Sequence, residues 1–168
     1  MYVKLSKEGG VGKVLFDWWQ GLVDDKGSRA VLRRAATVTA ITLTPAYQHL
    51  FRRLQQAGWK EAWPGQNDRL AALAGLLAHV KEDSELALAQ SMSAHDEGGD
   101  RPLVSELRFL RLLEAPDLDA LFAGLRRALP LMKGRVNVLA LAQDLIDWND
   151  QVKKKWAYAY NWPDKSST

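Results

Sequence analysis

The sequence predicts an all-α fold, two small helical bundles with a basic face, and three observations carry that prediction. Apolar residues recur at three- and four-residue spacing in stretch after stretch. Cap residues and helix-stopping Pro or Gly stand at the ends of those stretches. No segment outside a short β-branched run alternates as a strand would, and no repeat of fixed period intrudes.

Taken in order, the Gly-rich start reads as a flexible lead-in up to Gly12. Val11, Val14, Leu15, Trp18 and Leu22 then form one stripe, which leaves Trp19 partly exposed as a protein contact. Ser28 is placed to cap a helix carrying Arg29, Arg33 and Arg34. The run TVTAITLT is β-branched and reads as an extended connector. Thr44-Pro45 opens the next helix, with Tyr47, Leu50, Phe51 and Leu54 inward and Gly58 as its stop. WKEAWPGQ is a loop, after which Asn67 caps a helix with Leu70, Leu73, Leu77 and Val80 on one face. A shorter helix between Ser84 and Ser91 leads into AHDEGGD, the most loop-like stretch of the chain.

PLVSELRFLRLL, residues 102–113, is the stretch where fold and function meet. Leu103, Val104, Leu107 and Leu110 make its inward stripe, and Pro102 suits its first turn. Arg108 and Arg111, three residues apart, stand together on the flank. Asp117 opens a helix with Leu118, Leu121, Phe122, Leu125 and Leu129 inward, closed by Pro130 and Gly134. Asn137 caps a last, longest helix whose stripe is Val138, Ala142, Leu145, Trp148, Val152 and Trp156. The loop at 95–100 divides an N-terminal lobe, residues 1–94, from a C-terminal lobe, residues 95–168; the alternative is that the two pack as one compact domain.

Composition narrows the function. Cysteine is absent, which removes disulfides, thiolate metal sites and cysteine nucleophiles and fits a cytoplasmic protein. MYVKLSKEGG leads into no apolar run, so no secretory signal is expected. LAALAGLLAHV is about half the roughly 20 residues that span a bilayer, so no membrane partner is expected. The net charge of +3 is modest, but its distribution is uneven. Residues 1–36 hold seven basic and four acidic side chains, 37–100 five and eight, 101–168 eleven and eight. Basic ends around an acidic middle point to a polyanion on one face.

Catalytic constellations are missing. EGGVGKV has Lys7 and Val14 where a phosphate loop needs Gly and Ser or Thr. His95, Asp96, Glu97 and Asp100 are a solvated loop without a second ligand set. His49 and His79 have no nucleophile arranged around them, and Asp144 with Asp147 reads as a solvated or salt-bridged helix face. No enzyme, cofactor or metal is expected.

The arginines carry more. Arg29/Arg33/Arg34, Arg52-Arg53, Arg108/Arg111, Arg126-Arg127 and Lys133/Arg135 exceed what helix dipoles need. Guanidinium forks match phosphate oxygens and stack on bases. Lys153, Lys154 and Lys155 precede the aromatic run WAYAYNW, a composition that serves single-strand binding or, for Trp156, core packing. A helical adaptor whose arginines meet acidic partner surfaces is the alternative reading.

The ordered set SRAVLRRA, TPAYQHLF, LAALAGLLAHV, VSELRFLRLLEAPDLDALFAGLRRALPLM, VNVLALAQDLIDWND and KKWAYAY resembles the CasB family, from about Trp18 to Tyr160. That family is the small subunit of the type I-E CRISPR surveillance complex, Cascade. The resemblance implies a non-catalytic, all-helical subunit present in two copies beside the large subunit and along the backbone subunits. It implies partners in the guide RNA, the target DNA strand and the displaced non-target strand. The basic positions it covers by motif are Arg33, Arg34, Arg108, Arg111, Arg126 and Arg127. Arg29, Arg52, Arg53, Arg135 and the three lysines are extended from charge.

Overall fold

The computed structural model describes residues 4–164. Among them run α1 (Gly10–Gly21), α2 (Lys26–Arg34), α3 (Val38–Thr42), α4 (Pro45–Gln56) and α5 (Gln66–Leu77). Then follow β1 (Glu82–Asp83), α6 (Leu88–Ser93), α7 (Glu106–Leu113), α8 (Leu118–Leu131), β2 (Arg135–Val136), α9 (Val138–Ile146) and α10 (Asp150–Ala159). The fold is all-α, as its periodicities require.

The organising element is α5, which packs against α2, α3, α8 and α9. Its sequence reads LAALAGLL, and every residue from Leu70 to Leu77 is buried. A helix apolar on all sides belongs in the middle of a bundle rather than at its edge. Small residues let the neighbours close in: a Cβ added at Gly75 would stand 2.6 Å from Ile41 Cδ1 and 3.1 Å from Phe122 Cε1. The segments before and after residue 95 therefore meet along α5.

Thr44, Asp117 and Asn137 cap their helices as the sequence indicates, each accepting from a backbone N–H three residues on. Other local readings are corrected. Asp25, not Ser28, caps α2, taking the Ser28 N–H at 3.2 Å. The β-branched run is helical: Thr37 caps α3, and Val38 and Ile41, three apart, are buried. Burial on both residues outweighs a modest propensity deficit. Gly65 rather than Asn67 precedes α5, and Asn67 Oδ1 instead accepts the Trp59 indole N–H at 2.9 Å. Trp19 is buried, its indole N–H donating to Val80 O at 3.0 Å, while Trp18 is only half-buried.

The lead-in is tied down where it is described. Leu5 N donates to Gln143 Oε1 at 2.8 Å, and Lys7 pairs with Asp83 at 2.6 Å. The first three residues lie outside the described part. The segment after α5 is a two-residue strand before it is a helix: β1 pairs in parallel with β2, Glu82 opposite Arg135. Two residues are too few to leave an alternation in the sequence. The short helix itself starts later than expected, at Leu88.

In the 102–113 stretch the helix begins at Glu106, with Ser105 as its cap and Pro102 outside it. Its inward side chains are Phe109 and Leu112; Leu107 is 58% exposed. Pro130 does not end α8, which continues to Leu131. The expected last helix is two helices. Arg69 Nη1 donates to Ile146 O at 2.9 Å and Trp148 O at 3.0 Å, satisfying carbonyls at the end of α9. Asn149 then starts α10 by accepting from Val152 N at 3.0 Å. Buried Asp144 holds α10 against α9 by accepting from the Trp156 indole N–H at 2.8 Å and from Lys155.

Candidate nucleic-acid interface

Three helices carry the outward arginines, and each is held by an apolar anchor. α2 buries Leu32, α7 buries Phe109 and Leu112, and α8 buries Leu121, Phe122, Leu125 and Leu129. With those sides fixed, Arg33, Arg34, Arg108, Arg111 and Arg127 are exposed.

α8 joins the other two helices. Arg126 Nη2 donates to Arg33 O at 2.8 Å, which ties α8 to the C-terminal turn of α2. Its neighbour Arg127 stands about 100° further round the helix. Together with Arg108 and Arg111 it lines a cleft of about 330 Å³ between α7 and α8. Arg29 is half-buried, its Nε donating to Ala78 O at 3.2 Å beyond the end of α5. A cation there complements the negative helix end, so Arg29 has a structural role of its own.

The field of this cluster registers on His79. Burial first, and then Arg33, Arg126 and Arg29, push its pKa down to about 4. Its Nε2 is buried with no hydrogen-bond partner among the described residues. The imidazole is thus neutral near pH 7. Because the folded value lies below the unfolded one, its stability contribution is full above about pH 6.5 and is lost as pH falls toward 4. Between pH 7.5 and 4.5 the protein should lose roughly 1 kcal/mol more than His79→Gln, allowing for solvent screening of a half-buried ring. Urea titrations of both at the two pH values check this; equal losses would contradict it.

Not all basic candidates gather on this face. Arg52 and Arg53 are exposed on α4, which packs against α1 and α3. Arg135 faces Glu82 across the short sheet at 3.9 Å, and Lys133 pairs with Asp96 at 2.8 Å. That contact raises the lysine and lowers the carboxyl from their ordinary values. Lys153 lies 3.9 Å from Asp150, Lys155 is engaged by Asp144, and Lys154 is exposed. Sequence reasoning missed Arg69, whose role as a tertiary cap leaves no local signal, and the setting of His79.

The residues weighed for catalysis are dispersed. Asp96 serves Lys133, Asp144 serves Trp156 and Lys155, Asp147 Oδ2 accepts from Gln143 at 2.7 Å, and His49 is exposed. Among the described residues no three His, Cys, Asp or Glu side chains assemble as a metal set, and no helix is long and apolar enough to cross a membrane.

Comparison with known proteins finds that residues 28–160 match the family described as CRISPR-associated protein Cse2. The match takes in α2 from Ser28 onward and all of α7 and α8, so Arg33, Arg34, Arg108, Arg111, Arg126 and Arg127 fall inside it. A chain in the crystal structure of E. coli Cascade bound to a PAM-containing dsDNA target has the same fold, with a TM-score of 0.68 at 23% identity. The likeness covers 88% of this chain and 92% of that one. No curated protein matched the sequence.

Proposed function

The chain belongs to the CRISPR-associated Cse2 family, the CasB small-subunit family, and from this we propose that it is a non-catalytic, nucleic-acid-holding subunit of a Cascade complex. Its role is to stabilise the pairing of guide RNA with target DNA and to grip the displaced strand. The observation that carries this reading is the set of exposed arginines on three helices, Arg33 and Arg34 on α2 and Arg108, Arg111 and Arg127 around the α7–α8 cleft, none with an acidic partner among the described ion pairs. Its partners are then the guide RNA, both DNA strands, the large and backbone subunits and a second copy of itself.

The energetics suit such a role. Exchanging a DNA duplex for an RNA–DNA duplex is nearly balanced, so contacts to the backbone can tip it. Arginines gripping phosphates on the displaced strand disfavour its return without reading its sequence. The guide supplies specificity; the face supplies free energy.

The test is target opening by the reconstituted complex containing Arg108→Ala, Arg111→Ala and Arg127→Ala. The variant should co-purify with the other subunits and a guide-length RNA yet open target DNA less well, equally across guide sequences. Normal opening by a complex that contains the triple variant would overturn the reading and favour an adaptor that meets acidic protein surfaces.

A further inference from the structure

The cleft between α7 and α8 is built differently from a phosphate site. Three of the residues that line it carry guanidinium groups, Arg108, Arg111 and Arg127. Its apolar lining is Leu112, Pro116, Ala120 and Ala128, of which Leu112 and Ala128 are buried. The lining is tight because α7 and α8 approach closely: a Cβ added at Gly124 would stand 2.7 Å from Leu112 Cδ2. The Glu114 side of the cleft adds a carboxylate. A phosphate gains nothing from an apolar lining and is repelled by a carboxylate. A nucleobase uses all of it: guanidinium planes to stack on, small apolar groups beneath the ring, and an acceptor for an exocyclic amine.

Size points the same way. At about 330 Å³ the cleft lies at the small end of the ligand-pocket range of roughly 300–1,000 Å³. A single planar ring system fits within it.

We infer that this cleft receives a single unstacked base of the bound nucleic-acid strand, with Arg108, Arg111 and Arg127 holding the base plane and the phosphates on either side of it. The inference rests on the proposed nucleic-acid role and adds to it: at this point the face grips the base as well as the backbone. It reads no sequence there beyond a preference for bases that carry an exocyclic amine. A base anchored in this cleft would fix the strand against sliding, which phosphate contacts alone allow.

The test compares two oligonucleotides of equal length and phosphate count, one of deoxycytidine and one with abasic sugars throughout. Full-length protein should bind the abasic strand about ten-fold more weakly, the size of one base stack. Ala120→Leu adds bulk to the apolar lining of the cleft while leaving every arginine, and leucine is at home in a helix. That variant should bind the deoxycytidine strand as weakly as the abasic one, with an unchanged salt slope. Equal affinity of the unaltered protein for both strands, with a normal salt slope, would overturn the base pocket and leave the nucleic-acid role standing. Competition by polyglutamate as effective as that by the deoxycytidine strand would show that the cleft reads charge alone, and would overturn it too. No binding of either strand, by the chain or by the reconstituted complex, would overturn both readings. The comparison on unaltered protein needs no variant to fold.

Discussion

Replacing Arg33, Arg34, Arg108, Arg111 and Arg127 together with Ala should lower affinity for single-stranded DNA by roughly a hundred- to a thousand-fold near physiological salt. Each lost phosphate contact removes about 0.7 from the slope of log affinity against log salt, so five remove about 3.5. Extrapolated from about 1 M salt, where the ionic contribution has largely gone, to about 0.15 M, a slope change of that size spans two to three decades. All five side chains are exposed, and their helices are anchored by other residues. The fold should therefore survive, with some cost where arginine stems cover apolar surface. Arg29 and Arg126 are left in place because their guanidiniums donate to Ala78 O and Arg33 O. Glutamate at the same five positions should be worse than alanine, since repulsion joins loss. Fluorescence-anisotropy titrations across a salt series measure both slope and affinity. A helical five-fold variant with unchanged slope would mean these arginines hold no polyanion.

The choice of those five positions shows what the sequence discloses. That Arg33 points outward follows from the local apolar pattern of α2, whereas Arg108 and Arg111 flank either of the two stripes α7 offers and so stay at the surface whichever is buried. That Arg126 and Arg127 part company follows from helix geometry once two neighbours exist to receive them. Which neighbours they find is a tertiary fact, and so is the capture of Lys133, Arg135, Lys153 and Lys155 by acids remote or adjacent in the chain. Single-residue charge cannot separate a cation with a partner from one without.

The fold divides in the same way. Thr44-Pro45, Asp117 and Asn137 are legible because a cap is a contract among residues three apart. In α3 the β-branched run argues against a helix, and only the pocket beside Gly75 makes burial of Ile41 decisive. In α7 apolar residues surround the helix, so two inward stripes are possible on pattern alone. The choice of Phe109 and Leu112 over Leu107 and Leu110 belongs to α8 and to the aromatic residues of the C-terminal segment. Between α9 and α10 the stripe runs on without a phase change, and the break is set by Arg69 and Asn149.

Phe109→Ala should be the most destabilising single truncation on the functional face. The ring is fully buried and stacks on Tyr160 at 4.1 Å, with Trp156 at 6.4 Å and Trp162 edge-on at 5.5 Å. Phe-to-Ala changes in cores cost about 3–5 kcal/mol, and the lost ring pairs push this one toward the upper end. For a chain of this size that is a fall in Tm of roughly 6–20 °C. The loss has a direction. Tyr160 donates to Val104 O at 2.7 Å and Asn161 N to Ser93 Oγ at 2.9 Å, so the aromatic cluster joins the end of α10 to the approach to α7. Without Phe109 that junction loosens, and with it the helix that presents Arg108 and Arg111. Phe109→Leu, which keeps most of the volume, should cost much less. Urea titration should show a lower midpoint with an unchanged m-value, since the same surface is exposed on unfolding. A loss below about 1 kcal/mol would mean the cluster repacks around the gap. The stability of the arginine face would then have to come from α8 alone.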